Sequence, residues 1–283
     1  MNEQTKKRIA DNLASFVKRY DNHHAAAGNL KGVSSDIIGQ LLNGNNGNIS
    51  EAMWRKIAKQ TGFILTPWHI APTSVYNKLT AYFGDAQRNP AGIHALIINA
   101  SLGKSITVKA FARQNPSAYY ICCHRHMPIR ILLRDMLKSM GKDSSGTIAE
   151  MLDNLVNYLE KDNDPLFIID EVDKLKDEVL EMFIDLENKL HGKCGLVFIA
   201  TPYLKKRIET GVSRNKRGFA ELFSRMKKIF WDLTPAKTEF KKDVSLICKA
   251  NGITNEQVIG EMLNKCEFDL RVLTDLVNAY KAA

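Results

Sequence analysis

From residue 95 onward, five short apolar runs recur between longer helical patterns: ALIIN (95–99), AYYICC (118–123), LFIID (166–170), GLVFIA (195–200) and KIFWD (228–232). A strand with one wet face alternates apolar with polar residues. A strand that is apolar throughout is covered on both faces, and such strands separated by helices form a parallel sheet between helical layers. The expectation is an α/β fold over 66–235, preceded by a small helical domain over 1–65 and followed by a helical segment over 236–283. At 283 residues and 45% hydrophobic content the chain has enough apolar surface for cores of this kind.

The first 65 residues read as short amphipathic helices. RIADNLASFVKRY (8–20) sets Ile9, Leu13, Phe16, Val17 and Tyr20 on one helical face. ISEAMWRKIAKQTGF offers Ser50 as an N-cap and Gly62 as a stop. AAAGNLKGVSSDIIGQLL has the spacing of a helix-turn-helix, with Gly28, Gly32 and Ile38 at its template positions and Ser34 capping the second helix. That second helix carries Ser35, Asp36 and Gln40 and no Lys or Arg, so phosphate contacts would fall to Lys31, Arg55, Lys56 or Lys59. A helical docking module fits the same pattern. The polar cluster GNNGN (44–48) is a turn, and ILTPWHIAPTS (64–74) reads as the linker to the α/β part. In 237–283, Thr254 with Gln257 predicts a capping box, and Asn251-Gly252 ends the helix before it.

The first apolar run leads into INASLGKS (98–105) and then the helical ITVKAFARQ. Strand, loop and helix in that order are the setting of the phosphate-binding pattern G-x-x-x-x-G-K-[ST], here with Ile98 in place of the first glycine and Ser101 where glycine is common. A helix N-terminus presents unpaired N–H groups and partial positive charge to an anion. Asn99, Ala100, Ser101, Leu102, Gly103, Lys104, Ser105 and Ile106 are therefore the expected nucleotide-binding residues, Lys104 reaching the phosphates and Ser105 ligating Mg²⁺. A residue other than glycine at 101 predicts a backbone penalty of about 1–2 kcal/mol if the loop turns left-handed. Ile98 predicts extra bulk where the chain leaves the strand. Weakened but surviving binding of ATP or ADP is the expectation.

LFIIDEVDKL (166–175) ends a buried strand on Asp170-Glu171, an acidic pair suited to orient Mg²⁺ through Asp170 and polarise a water through Glu171. GLVFIATP sets Thr201 at the end of the next strand, in reach of a γ-phosphate or the attacking water. AELFSRMKKIFWDL sets Arg225 just before the fifth run, as an arginine finger acting in trans or as one member of a solvated basic run. In EFDLRVLTDLV, Arg271 reads as an arginine reaching back to phosphates from a lid, or as a surface ion pair.

Five scattered cysteines without a C-x-x-C pair argue against zinc or a disulfide framework, and strand geometry turns Cys122 and Cys123 of CCHRH to opposite faces. A net charge of +9 favours a polyanionic partner. No run of apolar residues is long enough to span a bilayer and the N-terminus lacks a signal-peptide core, so a cytoplasmic protein is expected.

Taken in order, Lys104, Asp170-Glu171, Thr201, Arg225 and Arg271 resemble Walker A, Walker B, sensor 1, arginine finger and sensor 2 of the AAA+ ATPases. Within them the chain resembles the target-selecting ATPases of transposons, the group of phage Mu transposition protein B, TnsC and IstB, through its N-terminal helices, LFIIDEVDKL with DEVLEMF, GLVFIATP, FAELFSRMKK and LRVL. The resemblance implies an ATP- and Mg²⁺-dependent protein that self-assembles as a filament or ring on double-stranded DNA with little sequence preference, and recruits a transposase. It also implies DNA contacts after the second strand, where CCHRHMPIRILLR offers Arg125 and Arg130. A second basic region, Lys205, Lys206, Arg207, Arg214, Lys216 and Arg217, is either DNA-binding or a solvated loop. Two other functions fit the same residues: a DNA-binding adaptor that hydrolyses little ATP, and a helix-turn-helix transcription regulator with an NTPase switch.

Overall fold

The computed structural model of the chain describes residues 3–18, 20–44, 49–61 and 68–282. The chain divides into two compact units, Met1–Trp68 and His69–Ala283.

The first unit contains α1 (Glu3–Val17), α2 (His23–Gly28), α3 (Ser35–Leu42) and α4 (Glu51–Gln60). Ile9, Leu13 and Val17 of α1 pack into one core with Ile38, Leu41, Trp54 and Ile57, while Phe16 and Tyr20 sit at its margin with ring centroids 5.2 Å apart. Ser34 and Ser50 cap α3 and α4 as expected, accepting the N–H groups of Ile37 (3.3 Å) and Met53 (3.2 Å). Gly28 closes α2, and Gly32 turns the chain at φ +64°. A Cβ there would run into Lys56 Nζ, and that ammonium donates to the Gly32 carbonyl. Gly62, residues 45–48 of the polar turn and residues 64–67 of the linker lie outside the described residues.

The second unit is an α/β layer structure. Its elements are α5 (Ser74–Arg88), β1 (Ile93–Ile97), α6 (Lys104–Gln114), β2 (Ala118–Cys122), α7 (Ile129–Ser139), α8 (Ile148–Leu159), β3 (Leu166–Asp170), a 3-10 turn (Val172–Lys174), α9 (Asp177–Leu190), β4 (Gly195–Ala200), α10 (Pro202–Ser213), α11 (Phe219–Arg225), β5 (Phe230–Asp232), α12 (Lys237–Ala250), α13 (Glu256–Cys266) and α14 (Leu270–Ala282). All five apolar runs contribute strands, and the sheet is parallel in the order β2-β3-β4-β1-β5. One face buries Ile93, Ala95, Ile97, Phe167, Ile169, Leu196 and Phe198 against α7, α8 and α9. Leu96, Ile168, Val197 and Ile199 point to the opposite face and are equally buried, with α5 and α6 packed on that side. This two-sided burial is why β3 and β4 are apolar throughout.

Two local expectations change. The cap of α13 is Asn255, not Thr254: its side chain accepts the N–H groups of Gln257 (2.9 Å) and Val258 (3.4 Å), so Gln257 falls one position short of a capping box. Asparagine is a stronger cap than threonine and prevails. Ile98 extends β1 beyond its last assigned residue, donating its N–H to the Ala200 carbonyl at 2.9 Å, and its side chain is fully buried. It is the end of the core and adds no bulk to the loop. The chain does close α12 at Asn251, with Gly252 at φ +87°. Among the described residues no helix is long and apolar enough to cross a membrane.

Candidate functional site

Parallel strands place their carboxyl ends on one edge, where loops gather ligands. Because β4 lies between β1 and β3, the loop after β1, Thr201 after β4 and the acidic pair after β3 stand side by side on that edge.

The loop after β1 turns at Ser101, whose φ is +61°. The expected left-handed strain, about 1–2 kcal/mol for a residue with a Cβ, is therefore present. The Ser101 carbonyl accepts the N–H of Leu270 at 2.9 Å. Asn99 N–H donates to Thr234 Oγ1 at 3.3 Å, Leu102 is buried, and Ile106 is exposed on α6. Gly103 turns at φ +82° and α6 begins at Lys104 with no side-chain cap. Its first-turn N–H groups face the loop, as an anion site requires.

Lys104 folds back on this loop, its ammonium donating to the carbonyls of Ile98 and Asn99 at 3.0 Å each. Burial pushes the ammonium below its ordinary value; the charges of Asp170, Asp173 and Glu171 oppose that, and Arg271 adds to it. Arg271 is thus within electrostatic reach of Lys104. Ser105 Oγ donates to Asp170 Oδ2 at 3.3 Å, and the N–H of Glu171 donates to Asp170 Oδ1 at 2.9 Å. Asp170 is 1% exposed, and burial raises its carboxyl against the favourable Glu171 N–H and Lys104 charge. A hydroxyl and a carboxylate side by side at the end of a buried strand are hard oxygen donors that suit Mg²⁺, so these residues fit the metal that a nucleotide brings.

Glu171 sits at φ +58°, its carboxylate accepting Lys174 Nζ at 2.5 Å and the Cys122 thiol at 3.6 Å. Thr201 donates its hydroxyl to Asp173 Oδ2 at 2.9 Å. Asp173 and Lys174 were not singled out from sequence, although the i, i+3 spacing of Glu171 and Lys174 in DEVDK is a readable signal. Arg225 is not gathered at the loop: its Nε lies 3.3 Å from Glu187 Oε2 and its Nη2 3.6 Å from Glu221. Glu187, another residue the sequence did not single out, is 3% exposed and has His191 Nδ1 at 2.6 Å from its other oxygen.

The two basic regions meet. Arg125 lines a cleft of about 1040 Å³ together with Arg207, Lys216, Lys174, Lys176 and Tyr203. Asp177 on the same wall binds both Arg207 and Lys216. Burial opposes ionisation of Asp177, yet the hydrogen bonds from Lys216 and Arg207 outweigh it and hold the carboxyl below its ordinary value. Arg130, Lys205, Lys206 and Arg214 are exposed elsewhere. Cys122 is exposed and Cys123 buried, as strand alternation requires, and no group of three or more His, Cys, Asp or Glu side chains is placed to hold a metal ion among the described residues.

The second unit is thus a five-stranded parallel sheet covered by helices, with a lysine loop and an acidic strand end on one edge. Residues 87–208 match the AAA domain family. Among solved structures, the Aeropyrum pernix ORC2 protein in its ADPNP-ADP complexes is similar at a TM-score of 0.53 and 12% identity, over 75% of this chain. The match covers 63% of that protein, less than two thirds of its length. Drosophila ORC bound to AT-rich DNA and Cdc6 matches at a TM-score of 0.47 and 7% identity, over 73% of this chain and 36% of that one. Comparison with curated proteins finds no match.

Proposed function

We propose that the chain is an ATP-dependent AAA+ protein that assembles on double-stranded DNA and presents that DNA to a transposase. The carrying observation is the convergence of Lys104, Ser105 and Asp170 at the carboxyl edge of the sheet, Ser105 and Asp170 within 3.3 Å. In this reading the N–H groups from Asn99 to Ile106 cradle the phosphates, and Lys104 exchanges two loop carbonyls for phosphate oxygens. Ser105 and Asp170 hold Mg²⁺, which when bound neutralises phosphate charge. Glu171 orients the attacking water after releasing Lys174, Thr201 meets the γ-phosphate after releasing Asp173, and Arg271 reaches the phosphates from α14. Arg225 serves a neighbouring protomer. The net charge of +9 and the cleft around Arg125 support a DNA backbone contact, extended by Arg130, Lys205, Lys206 and Arg214. The transposase partner rests on the order of sequence motifs shared with transposon target-selecting ATPases.

A second reading is favoured by the engagement of both hydrolytic candidates, Glu171 with Lys174 and Thr201 with Asp173. It is a nucleotide-binding adaptor with little turnover. ATP turnover measured with and without random-sequence duplex DNA separates the two. DNA-stimulated turnover that disappears in Lys104→Ala supports the ATPase. Absent turnover, with Lys104→Ala assembling on DNA as the wild type does, rejects it. A marked preference for one operator sequence rejects assembly on general DNA, and affinity that falls steeply with salt supports it.

A further inference from the structure

The 3-10 turn Val172–Lys174 serves two sites at once. At the sheet edge, Lys174 Nζ pairs with Glu171 Oε2 at 2.5 Å, and Asp173 Oδ2 accepts the Thr201 hydroxyl at 2.9 Å. Asp173 and Lys174 also line the cleft of about 1040 Å³ that contains Arg125, Arg207 and Lys216. Arg207 ties the turn to that wall, its Nη1 donating to the carbonyls of Asp173 at 3.3 Å and Leu175 at 2.8 Å. Five cations line the cleft against three carboxylates, and two of these carboxylates are already engaged, Asp173 by Thr201 and Asp177 by Arg207 and Lys216. The partners of both hydrolytic candidates therefore belong to a basic cleft with cations to spare. Lys174 is the one free to change hands, since its side chain is 47% exposed and its ammonium rides on a flexible four-carbon stem.

We propose that Lys174 is shared between the two sites as a switch: a DNA phosphate seated in the cleft draws its ammonium off Glu171, and the freed carboxylate can then orient water. This rests on the ATPase reading above and adds what regulates it. Glu171 and a phosphodiester compete for the same ammonium, because both are anionic acceptors of a charge-assisted hydrogen bond. While paired, Glu171 commits a carboxylate oxygen and its negative charge to Lys174; once released, it has both for a water. The bond from the Glu171 N–H to Asp170 Oδ1 at 2.9 Å is untouched, so the corner keeps its backbone shape while its carboxylate is freed. By linkage, Glu171 weakens the hold of the cleft on DNA by the same factor as DNA weakens the pairing. One partly exposed ion pair sets the scale of the effect at up to about fivefold, a modulation of turnover and not its only control.

The test uses the full chain in two arms. In the first, affinity for a fluorescent random-sequence duplex is measured without nucleotide for wild type, Glu171→Gln, Lys174→Ala and the double variant Glu171→Gln/Lys174→Ala. Glu171→Gln leaves the ammonium with a neutral partner and is expected to tighten DNA binding about three- to fivefold when Lys174 is present. In the Lys174→Ala background the same substitution gains less than about twofold, the general effect of removing one negative charge. Equal gains in the two backgrounds overturn the proposal. In the second arm, ATP turnover is measured with and without the duplex. Lys174→Ala is expected to raise DNA-free turnover by up to about fivefold and to shrink the stimulation by DNA in the same proportion. Unchanged DNA-free turnover overturns the proposal. Inorganic phosphate at constant ionic strength separates the sources of the anion: if it raises turnover as the duplex does, the cleft serves a free ion and the assignment to DNA falls. If the wild type turns over no ATP under any condition, the ATPase reading fails, while the affinity cycle still decides the competition for Lys174.

Discussion

The sheet edge has two corners where a residue with a Cβ turns left-handed, Ser101 at φ +61° after β1 and Glu171 at φ +58° after β3. Their supports differ in range. Glu171 is held locally, by Asp170 accepting its N–H and by Lys174 three positions on pairing with its carboxylate. Ser101 is held from far along the chain, by the N–H of Leu270 on its carbonyl. A local support forms with the turn itself and leaves the corner autonomous. A distant one makes the corner report on the position of another element. Strain of this kind gathers at functional sites because the surrounding structure over-determines it. The acidic corner is thus a fixed part, and the loop after β1 is a jointed one.

The largest expected effect tests where the joint begins. Ile98→Gly empties a fully buried position and is expected to destabilise the α/β unit by at least about 2–5 kcal/mol, read by urea unfolding with hydrogen exchange of β1 and β4 amides. An unchanged midpoint would return Ile98 to the loop. Next, Lys104→Ala removes the ammonium and is expected to weaken ATP binding by about 2–3 kcal/mol, roughly 30- to 150-fold, in equilibrium titration. Both corners are then expected to gain from glycine. Glu171→Gly relieves about 1–2 kcal/mol of strain and gives up a half-exposed ion pair worth at most ~1, so the nucleotide-free protein gains about 1 kcal/mol. Ser101→Gly relieves the same strain and keeps the bond from Leu270, which is made to the backbone carbonyl, so it gains about 1–2 kcal/mol. A loss of stability in either variant would remove left-handed strain as a cost at that corner.

The smallest effect concerns acid. The folded Asp177 carboxyl lies below its ordinary value of 3.8, so its contribution is complete above that pH and is lost as pH falls through the folded value. Asp177→Asn is expected to flatten the decline in stability below about pH 4 by less than about 1 kcal/mol, in unfolding midpoints measured from pH 6 to pH 3. A decline unchanged by the substitution would remove the pairing with Arg207 and Lys216 as a source of acid sensitivity.

The sequence by itself determined the elements and their chemistry. Five apolar runs marked five strands because burial on both faces leaves no room for alternation, and β3 and β4 coincide with LFIID and GLVFIA. The lysine loop was legible because a strand, a short loop and a helix are contiguous, and the left-handed turn at Ser101 followed from the glycine that usually stands there. Local sequence could not give the spatial order, which sets β4 between β1 and β3 and brings Thr201 to the acidic edge. It could not give the bond from the Leu270 N–H to the Ser101 carbonyl either, since residues so far apart in the chain share no period or motif. Ile98 was misjudged for the same reason: only its N–H pairing with Ala200 shows that β1 continues through it. Periodicity and propensity are properties of neighbours along the chain, whereas strand order and the tie between loop and helix depend on which surfaces meet after the chain has packed.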